Sequence, residues 1–283
     1  MSKICIRKIC IRKICIKKIC IKKTCILAFL LIPVASWAQS AIAPPQLGFV
    51  TDGARALRPV YGVAGSFVLG PAVAGSVADA AFSGSLGLLK TDASLAAFDA
   101  QGKLLGSMEA AEGGAQFAFS PDGTAALAYL SAGNLLIEWC GGQFTPVPLG
   151  SEPAALRDGV VVGIAFPSSA AAVLIVERER GLWELDIALD AAGTLSQNAL
   201  PGIHAPVLAL AAGGLLYTED GAIVIRRPDG SAVRLAASLP AVFSLAQMNQ
   251  DWVDLADLQS PARLAIRTAT GHEGLYRLPE QSR

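Results

Sequence analysis

The sequence predicts an all-β fold, and within that class a β-propeller of about six four-stranded blades. Three observations predict it: one strand–turn–strand phrase recurs, its instances lie about 39 residues apart, and its strands are apolar on both faces. Four short strands in a unit of about 40 residues is the period of a propeller blade. No window keeps helical spacing over the roughly 10 to 12 residues that a helix requires.

The recurring phrase is a short apolar strand that runs into a tight turn. Its clearest instance is Phe-Ala-Phe-Ser-Pro-Asp-Gly at residues 117–123. Asp tolerates left-handed backbone and bonds its own main chain, while Gly supplies positive φ without steric cost. The six predicted units start near Leu47, Ala80, Phe117, Ile164, Leu208 and Phe243.

Further strands inside each unit support this alignment. Second strands are predicted at 125–130 and 172–176, third strands at 134–139, 182–187 and 222–225, and fourth strands at 103–106, 232–235 and 274–278. Short apolar runs between turn signals are typical of strands buried on both faces, as each blade is between its two neighbours. The alternative architecture is a pair of β-sandwiches, which requires no regular period. A ring closed by strand exchange would need residues 40–45 or the C-terminal tail.

The first 38 residues predict a secretory signal peptide. They hold nine Lys or Arg and no acid, in a five-residue repeat over 3–23 that we interpret as a low-complexity basic region. An apolar stretch of 11 residues, 25–35, follows. Ser36 and Ala38 then place small side chains at positions −3 and −1, which predicts cleavage between Ala38 and Gln39. A site after Ala43 is disfavoured by Pro44, and an uncleaved N-terminal anchor is the alternative.

The remainder, residues 39–283, is predicted to be one extracytoplasmic domain, either periplasmic or secreted. It carries 14 basic and 23 acidic residues, a formal charge of −9. That balance argues against nucleic acid and anionic membrane surfaces as partners, because both require clustered cations. Gly and Pro interrupt every long apolar run, so no membrane span is predicted after the leader. Cys140 is the one cysteine left and cannot form an internal disulfide.

Candidate chemical groups are few, and we predict no catalytic, cofactor-binding or metal-binding residue. His204 and His272 fall at dissimilar places in their units, and no metal-ligand spacing is present. Residues 83–87 read Ser-Gly-Ser-Leu-Gly, which has Ser where a nucleophile elbow needs its first Gly. Cys140 has no adjacent base to favour its thiolate and is interpreted as a buried or edge thiol.

Two other groups of residues invite a functional hypothesis. Asp52 and Asp122 share a turn position, so on a propeller they could ring one face and do acid–base work or hold a cation, although turn chemistry alone selects Asp there. The run 177–181, Glu-Arg-Glu-Arg-Gly, is predicted to be a solvated hairpin end and a place for polar partner contact. Trp183 and Trp252 are predicted to pack between blades.

Residues 119–124, Phe-Ser-Pro-Asp-Gly-Thr, resemble the turn of bacterial WD-like and YVTN-type propeller repeats, although the Gly-His and Trp-Asp pairs of true WD repeats are absent. The resemblance implies a broad class that includes enzymes, binding modules and assembly factors, so fold does not fix function. We predict an exported, monomeric, non-enzymatic module that binds a protein, peptide or glycan. The alternative is a lactonase- or glycosidase-like propeller hydrolase that uses channel-lining carboxylates, which would have to converge near the axis with shifted pKa values.

Overall fold

The computed structural model describes residues 44–149, 156, 159–189, 193–210 and 213–280. They belong to one compact unit, Ala43–Arg283, which contains six antiparallel sheets arranged as a six-bladed β-propeller. The predicted fold class is therefore confirmed. The leader and the predicted cleavage site at Ala38 and Gln39 lie outside the described residues. Within the described part of the chain, no helix is long and apolar enough to cross a membrane.

Each blade is built from consecutive strands, and its first strand lies innermost in blades 2 to 6. Blade 1 has three strands, β1 (Gln46–Thr51), β2 (Leu57–Val63) and β3 (Ser66–Leu69). Blades 2 and 3 contain β4 (Val77–Phe82), β5 (Leu86–Thr91), β6 (Ser94–Asp99), β7 (Leu104–Glu109), β8 (Ala115–Phe119), β9 (Ala126–Leu130), β10 (Leu135–Cys140) and β11 (Gln143–Val147). Blades 4 and 5 contain β12 (Val160–Ser168), β13 (Ala171–Arg178), β14 (Gly181–Ala188), β15 (Gly193–Leu200), β16 (His204–Ala209), β17 (Leu215–Glu219), β18 (Ala222–Arg226) and β19 (Ala232–Ala236). Blade 6 contains β20 (Phe243–Asn249), β21 (Trp252–Asp257), β22 (Arg263–Arg267) and β23 (Gly274–Arg277).

The turn between β8 and β9 shows how the recurring phrase folds. The Ser120 hydroxyl donates to the Asp122 carboxylate at 2.6 Å and accepts the Ala125 N–H at 2.9 Å. Gly123 adopts φ +68°, a left-handed conformation that glycine adopts without a steric penalty. The side chains of the phrase therefore satisfy the turn's own backbone groups, and β9 returns directly alongside β8.

The core lies between the blades. In β9, Leu127 packs into the cluster shared with blade 4, while its neighbours Ala126 and Ala128 pack into the cluster shared with blade 2. Successive side chains of a strand point to opposite faces, so this strand is buried on both. The continuous apolar runs of the sequence follow from this arrangement.

The first strand of blade 1 runs in the direction opposite to the first strands of the other five blades. The starts of β4 and β8 lie together, joined by the Ala115 N–H donating to Asp79 at 2.8 Å, and we call this the upper end of the molecule. In contrast, β1 finishes at the upper end, where the Val77 N–H donates to the Arg55 carbonyl at 2.9 Å. It begins at the lower end, where the Asn249 amide donates to the Leu47 carbonyl.

Within residues 44–280, the reversed direction of β1 places the three strands of blade 1 at the second, third and fourth positions of a blade, and no described strand occupies the innermost position. Consistent with this, the innermost strands of its neighbours, β4 and β20, contact each other directly. Strand β1 lies against both of them. At Gly48 a Cβ atom would stand 2.2 Å from the Met248 carbonyl oxygen, so the close approach of β1 and β20 requires glycine.

Packing between blades 1 and 6 closes the ring across the described residues. The Phe67 ring meets the edges of Trp252 and Tyr276 at centroid distances of 5.7 and 6.1 Å. Leu278, which is 2% exposed, joins the same cluster. The predicted packing of Trp252 between blades is therefore confirmed. Among the described residues, no strand of blade 6 joins the sheet of blade 1. Before β1, the Pro45 carbonyl accepts the Gly62 N–H at 2.9 Å, which places Pro45 beside β2 of the same blade.

Candidate ligand site in the central channel

The upper half of the central channel forms a cavity of about 1440 Å³. Its wall comes from all six blades: the first residues of β4, β8, β12, β16 and β20, and the last residues of β1 with the turn after it. Small side chains on these strands leave the space open, among them Ala78, Ala80, Ala205 and Ala246. The cavity is thus a consequence of alanine at positions nearest the axis.

Asp52 lies in the wall and is held by an ion pair. Arg58 Nε donates to its carboxylate at 2.7 Å, and the N–H groups of Ala54 and Ala56 donate at 2.9 and 2.8 Å. Burial opposes ionisation of this carboxyl, but the bonds from Arg58, Ala56 and Ala54 together hold its pKa below the usual value. Asp52 is therefore an ionised structural anchor of the turn after β1.

A second ion pair joins blade 6 to blade 1. Arg263 Nε donates to Asp254 at 3.0 Å, and the guanidinium also donates to the Thr51 carbonyl. Asp254 is 3% exposed, and burial raises its pKa despite the attraction of Arg263. The guanidinium satisfies a buried carboxylate and a strand-end carbonyl together, which fixes the end of β1 against blade 6.

Arg55 makes the corresponding link from blade 1 to blade 2. Its Nε donates to the Val77 carbonyl at 3.0 Å, and its guanidinium pairs with Asp92 at 2.5 Å. About half of each side chain in this ion pair is exposed. The pair lies on the rim of the cavity, where solvent weakens it.

Asp79 differs from Asp52 and Asp254 because no cation lies within 4 Å of it in the part of the chain that the structure describes. Its bond to the Ala115 N–H and the more distant charges of Lys90 and Arg55 favour the ionised form. Burial outweighs these contributions and raises the pKa of Asp79 above its usual value. Lys90, opposite Asp79 in the register, is 0% exposed and donates to the Thr91 carbonyl instead.

Two carboxamides also line the cavity. Gln247 is 4% exposed and lines the cavity, and no hydrogen bond of its side chain is found among the described residues. Gln116 lies on β8 in the same wall and is partly exposed. A carboxamide offers two donors and an acceptor, so an unpartnered one facing a cavity has capacity for a bound molecule.

Asp52 and Asp122, which the sequence places at one shared turn position, lie at opposite ends of the molecule. Asp52 is beside the start of β4, whereas Gly123, next to Asp122, accepts a bond from Ser85 beyond the end of β4. The hypothesis that these two carboxylates ring one face is therefore wrong. Its physical reason is the reversed direction of β1, which carries the turn at Asp52 to the upper end.

Of the other residues singled out in the sequence as functional candidates, only Glu177 lines the cavity among the described residues. His204 and His272 are exposed, Cys140 is exposed at the end of β10, and residues 83–85 form a turn before β5. The run 177–181 forms the β13–β14 hairpin end as predicted, and Glu177 reaches the cavity wall. Arg178 lies over the Trp183 ring at 5.2 Å. Among the described residues, no group of three His, Cys, Asp or Glu could hold a metal ion.

Sequence reasoning missed Asp79, Gln116, Gln247 and Asp254. Asp79 and Gln116 each interrupt an otherwise apolar strand, as Asp79 does in Val-Ala-Asp-Ala-Ala-Phe, while Gln247 and Asp254 each lie between apolar neighbours. A charged or amide side chain within a buried strand requires a partner or a function. That signal was present in the sequence and marks the channel wall more directly than the turn aspartates do.

Comparison with known proteins establishes the fold and no family. No protein-family model matches the chain, and no curated protein matches it. Among solved structures, TolB from Acinetobacter baumannii is similar with a TM-score of 0.54 and 15% identity, covering 83% of this chain and 64% of that chain. A chain of a nidogen/laminin complex is similar with a TM-score of 0.51 and 12% identity, covering 83% and 94%. This chain spans less than two thirds of the TolB chain, and such identities show a shared fold alone.

Proposed function

We propose that the chain is an exported bacterial propeller of the WD-like or YVTN-type class that acts as a non-enzymatic, monomeric binding module. Its ligand, a protein, peptide or glycan, enters the upper end of the channel. The observation that carries this proposal is the cavity itself: about 1440 Å³, walled by all six blades and lined by the unpartnered carboxamide of Gln247. A carboxamide that lines a cavity and makes no hydrogen bond of its own has two donors and an acceptor to offer a ligand.

The arrangement of charges favours binding over hydrolysis. Acid–base hydrolysis uses two carboxyl groups with different protonation states that face the same bond. Asp52 and Asp254 are each neutralised by an arginine at hydrogen-bond distance, so neither is available as a base. The alternative hydrolase is favoured by the raised pKa of Asp79, since Asp254, whose pKa is also raised, is paired with Arg263. A hydrolase would require a second free carboxylate beside Asp79.

Export is supported by the leader alone. We expect the chain, expressed in full in a bacterial host, to appear outside the cytoplasm with Gln39 as its first residue. Ala38→Tyr should block processing because a bulky side chain at position −1 is not accepted, while Ala43→Tyr should be processed normally. N-terminal sequencing of the fractionated protein decides this. An uncut chain held in the membrane fraction would show an anchor instead.

Ligand binding is tested by screening the exported protein against a displayed random-peptide library and a glycan array. Ser244 is exposed and lines the cavity, so Ser244→Trp should fill the entrance without disturbing the fold and abolish capture. Gln101→Trp adds the same side chain to the exposed β6–β7 turn at the lower end and should leave capture unchanged. Equal capture by both variants would place the binding surface elsewhere.

A further inference from the structure

Among the described residues, the cavity wall carries more acidic than basic side chains. The three arginines of this described wall are all ion-paired: Arg55 with Asp92, Arg58 with Asp52, and Arg263 with Asp254. Three further carboxylates line the wall without an ion pair among the described residues, and these are Asp79, Glu177 and Asp257. This pairing leaves no free guanidinium for an anion among the described residues of the wall, so their charge complementarity favours a cationic ligand.

Of the three carboxylates without an ion pair, Asp79 is the best placed to bind a ligand. It lies on an inner strand, is partly buried, and uses one oxygen to accept the Ala115 N–H at 2.8 Å, which leaves its other oxygen for a ligand. Of the nearby cations, Arg55 pairs with Asp92, and the buried Lys90 donates to the Thr91 carbonyl and acts on Asp79 only from beyond ion-pair distance. Asp257 is bonded to Ser260 and the Gln259 N–H, and it lies with Glu177 on the wall nearer the exposed loops.

The remaining lining fits a polypeptide. Gln247 is 4% exposed and unpartnered, and a carboxamide matches the donor and acceptor of a peptide group. Phe49, Phe117 and Phe243 supply apolar wall between the polar groups. A volume of about 1440 Å³ exceeds the range of roughly 300 to 1,000 Å³ usual for small-molecule sites, so several residues of an extended chain fit inside.

We infer that the channel receives a lysine or arginine side chain of an extended polypeptide segment, with the Asp79 carboxylate as its ion-pair partner. The Gln247 carboxamide bonds to the main chain of that segment deeper in the cavity. Glu177 and Asp257 draw the basic segment toward the entrance. This inference rests on the proposed binding function and names its ligand class.

The test is selection from a displayed random-peptide library, followed by affinity measurement with the selected peptides in synthetic form. We expect Lys or Arg to be enriched at one position. Replacing that residue by its uncharged analogue, acetyl-lysine or citrulline, should weaken binding at least about tenfold, the range of a partly desolvated ion pair. This measurement uses the unaltered protein, so it does not depend on how any variant folds.

Protein variants then assign the partner. Asp79→Asn keeps an acceptor for the Ala115 N–H and should remove the difference between the basic peptide and its uncharged analogue. Asp122→Asn removes one carboxylate at the lower end and should preserve the difference. Gln247→Leu should weaken the basic peptide and its analogue by the same factor, because it acts on main-chain bonding.

The outcomes separate this inference from the proposed function. Peptides without a basic preference whose capture is lost in Ser244→Trp would overturn the inference and leave the binding module standing. Channel-dependent capture of a glycan would do the same. A basic preference that persists in Asp79→Asn would overturn the assignment of Asp79. If Ser244→Trp abolishes the capture of no ligand, the inference and the proposed function are both wrong.

Discussion

At the scale of single residues, the channel wall combines two kinds of buried charge. Asp254 is 3% exposed and owes its charge to Arg263, whereas Asp79 is partly buried and has no cation at contact distance within the described chain. Burying an ionised carboxylate is costly unless a cation and hydrogen bonds compensate. The ion pair of Asp254 and Arg263 therefore stabilises the junction of blades 6 and 1. Asp79 instead keeps a carboxylate oxygen that a ligand can bind.

Removing the arginine of the buried pair should be strongly destabilising. We expect Arg263→Met to lower the free energy of unfolding by about 3–5 kcal/mol, because it leaves Asp254 charged and alone. The double variant Arg263→Met with Asp254→Leu should recover most of this loss. Chemical denaturation followed by circular dichroism measures both.

The matched control for that variant is the surface pair of Arg234 and Glu219, whose side chains are 48% and 40% exposed. Arg234→Met should cost about 0–1 kcal/mol, as solvent-exposed ion pairs do. A double variant no more stable than Arg263→Met alone would contradict the assignment of Asp254 as an uncompensated charge.

Asp79→Asn should stabilise the unliganded protein increasingly as pH rises. Because its folded-state pKa lies above that of the unfolded chain, the folded protein binds the proton more tightly, and stability falls as pH rises from the usual carboxyl range through the raised pKa. Asparagine is not subject to this loss. Melting temperatures of the variant and the natural protein should agree at about pH 3 and below, under both pKa values, and diverge toward about pH 7.

Asp122→Asn is the comparison variant, and its stability relative to the natural protein should change with pH in the opposite direction. Bonds from the Ser120 hydroxyl, and then from Thr124, lower the pKa of Asp122. The folded protein gains stability as that carboxyl ionises, so Asp122→Asn should lose stability relative to the natural protein as pH rises. A pH-independent difference for Asp79→Asn would mean that burial does not perturb this carboxyl.

At the scale of elements, blade 1 determines how the ring closes. It is held by apolar packing with blade 6 and by hydrogen bonds at both ends of β1, where Asn249 and Arg263 donate to the carbonyls of Leu47 and Thr51. Aromatic pairs in edge-to-face geometry add to the burial of their area. The junction is therefore the place where a single truncation should affect the whole ring.

Phe67→Ala should lower the free energy of unfolding by about 3–5 kcal/mol, the cost of truncating a buried phenylalanine. The ring is 9% exposed and contacts both Trp252 and Tyr276. Val68→Ala is the matched control, since Val68 is the next residue of β3 and is 60% exposed, so its truncation should be nearly neutral. Equal stability of the two variants would show that this junction does not support the ring.

Most elements were predictable because local sequence encodes them. The predicted third strand at 134–139 is observed as β10 (Leu135–Cys140), and the predicted strand at 222–225 as β18 (Ala222–Arg226). Apolar runs separated by Gly, Asp and Asn identify strands and turns well. The direction of β1 was not predictable, because a strand followed by a tight turn looks the same whether it is first or second in its blade.

At the scale of the whole molecule, the ring brings distant residues to one cavity. Asp79, Gln116 and Gln247 lie on inner strands of three different blades, and no local pattern connects them. Their polarity within apolar strands was visible in the sequence, but their convergence depends on blade order and on which strand ends face the same way. The fold was therefore more predictable than the site.

The proposal that the upper end of the channel holds a basic polypeptide segment can be tested by photo-cross-linking. A selected peptide that carries a photoreactive group next to its basic residue is cross-linked to the protein, and the products are mapped by mass spectrometry. We expect cross-links on the cavity wall near Asp79, Gln116 and residues 243–247. Cross-links at the lower end, near Asp122 or residues 99–103, or on the outer strands, would contradict it.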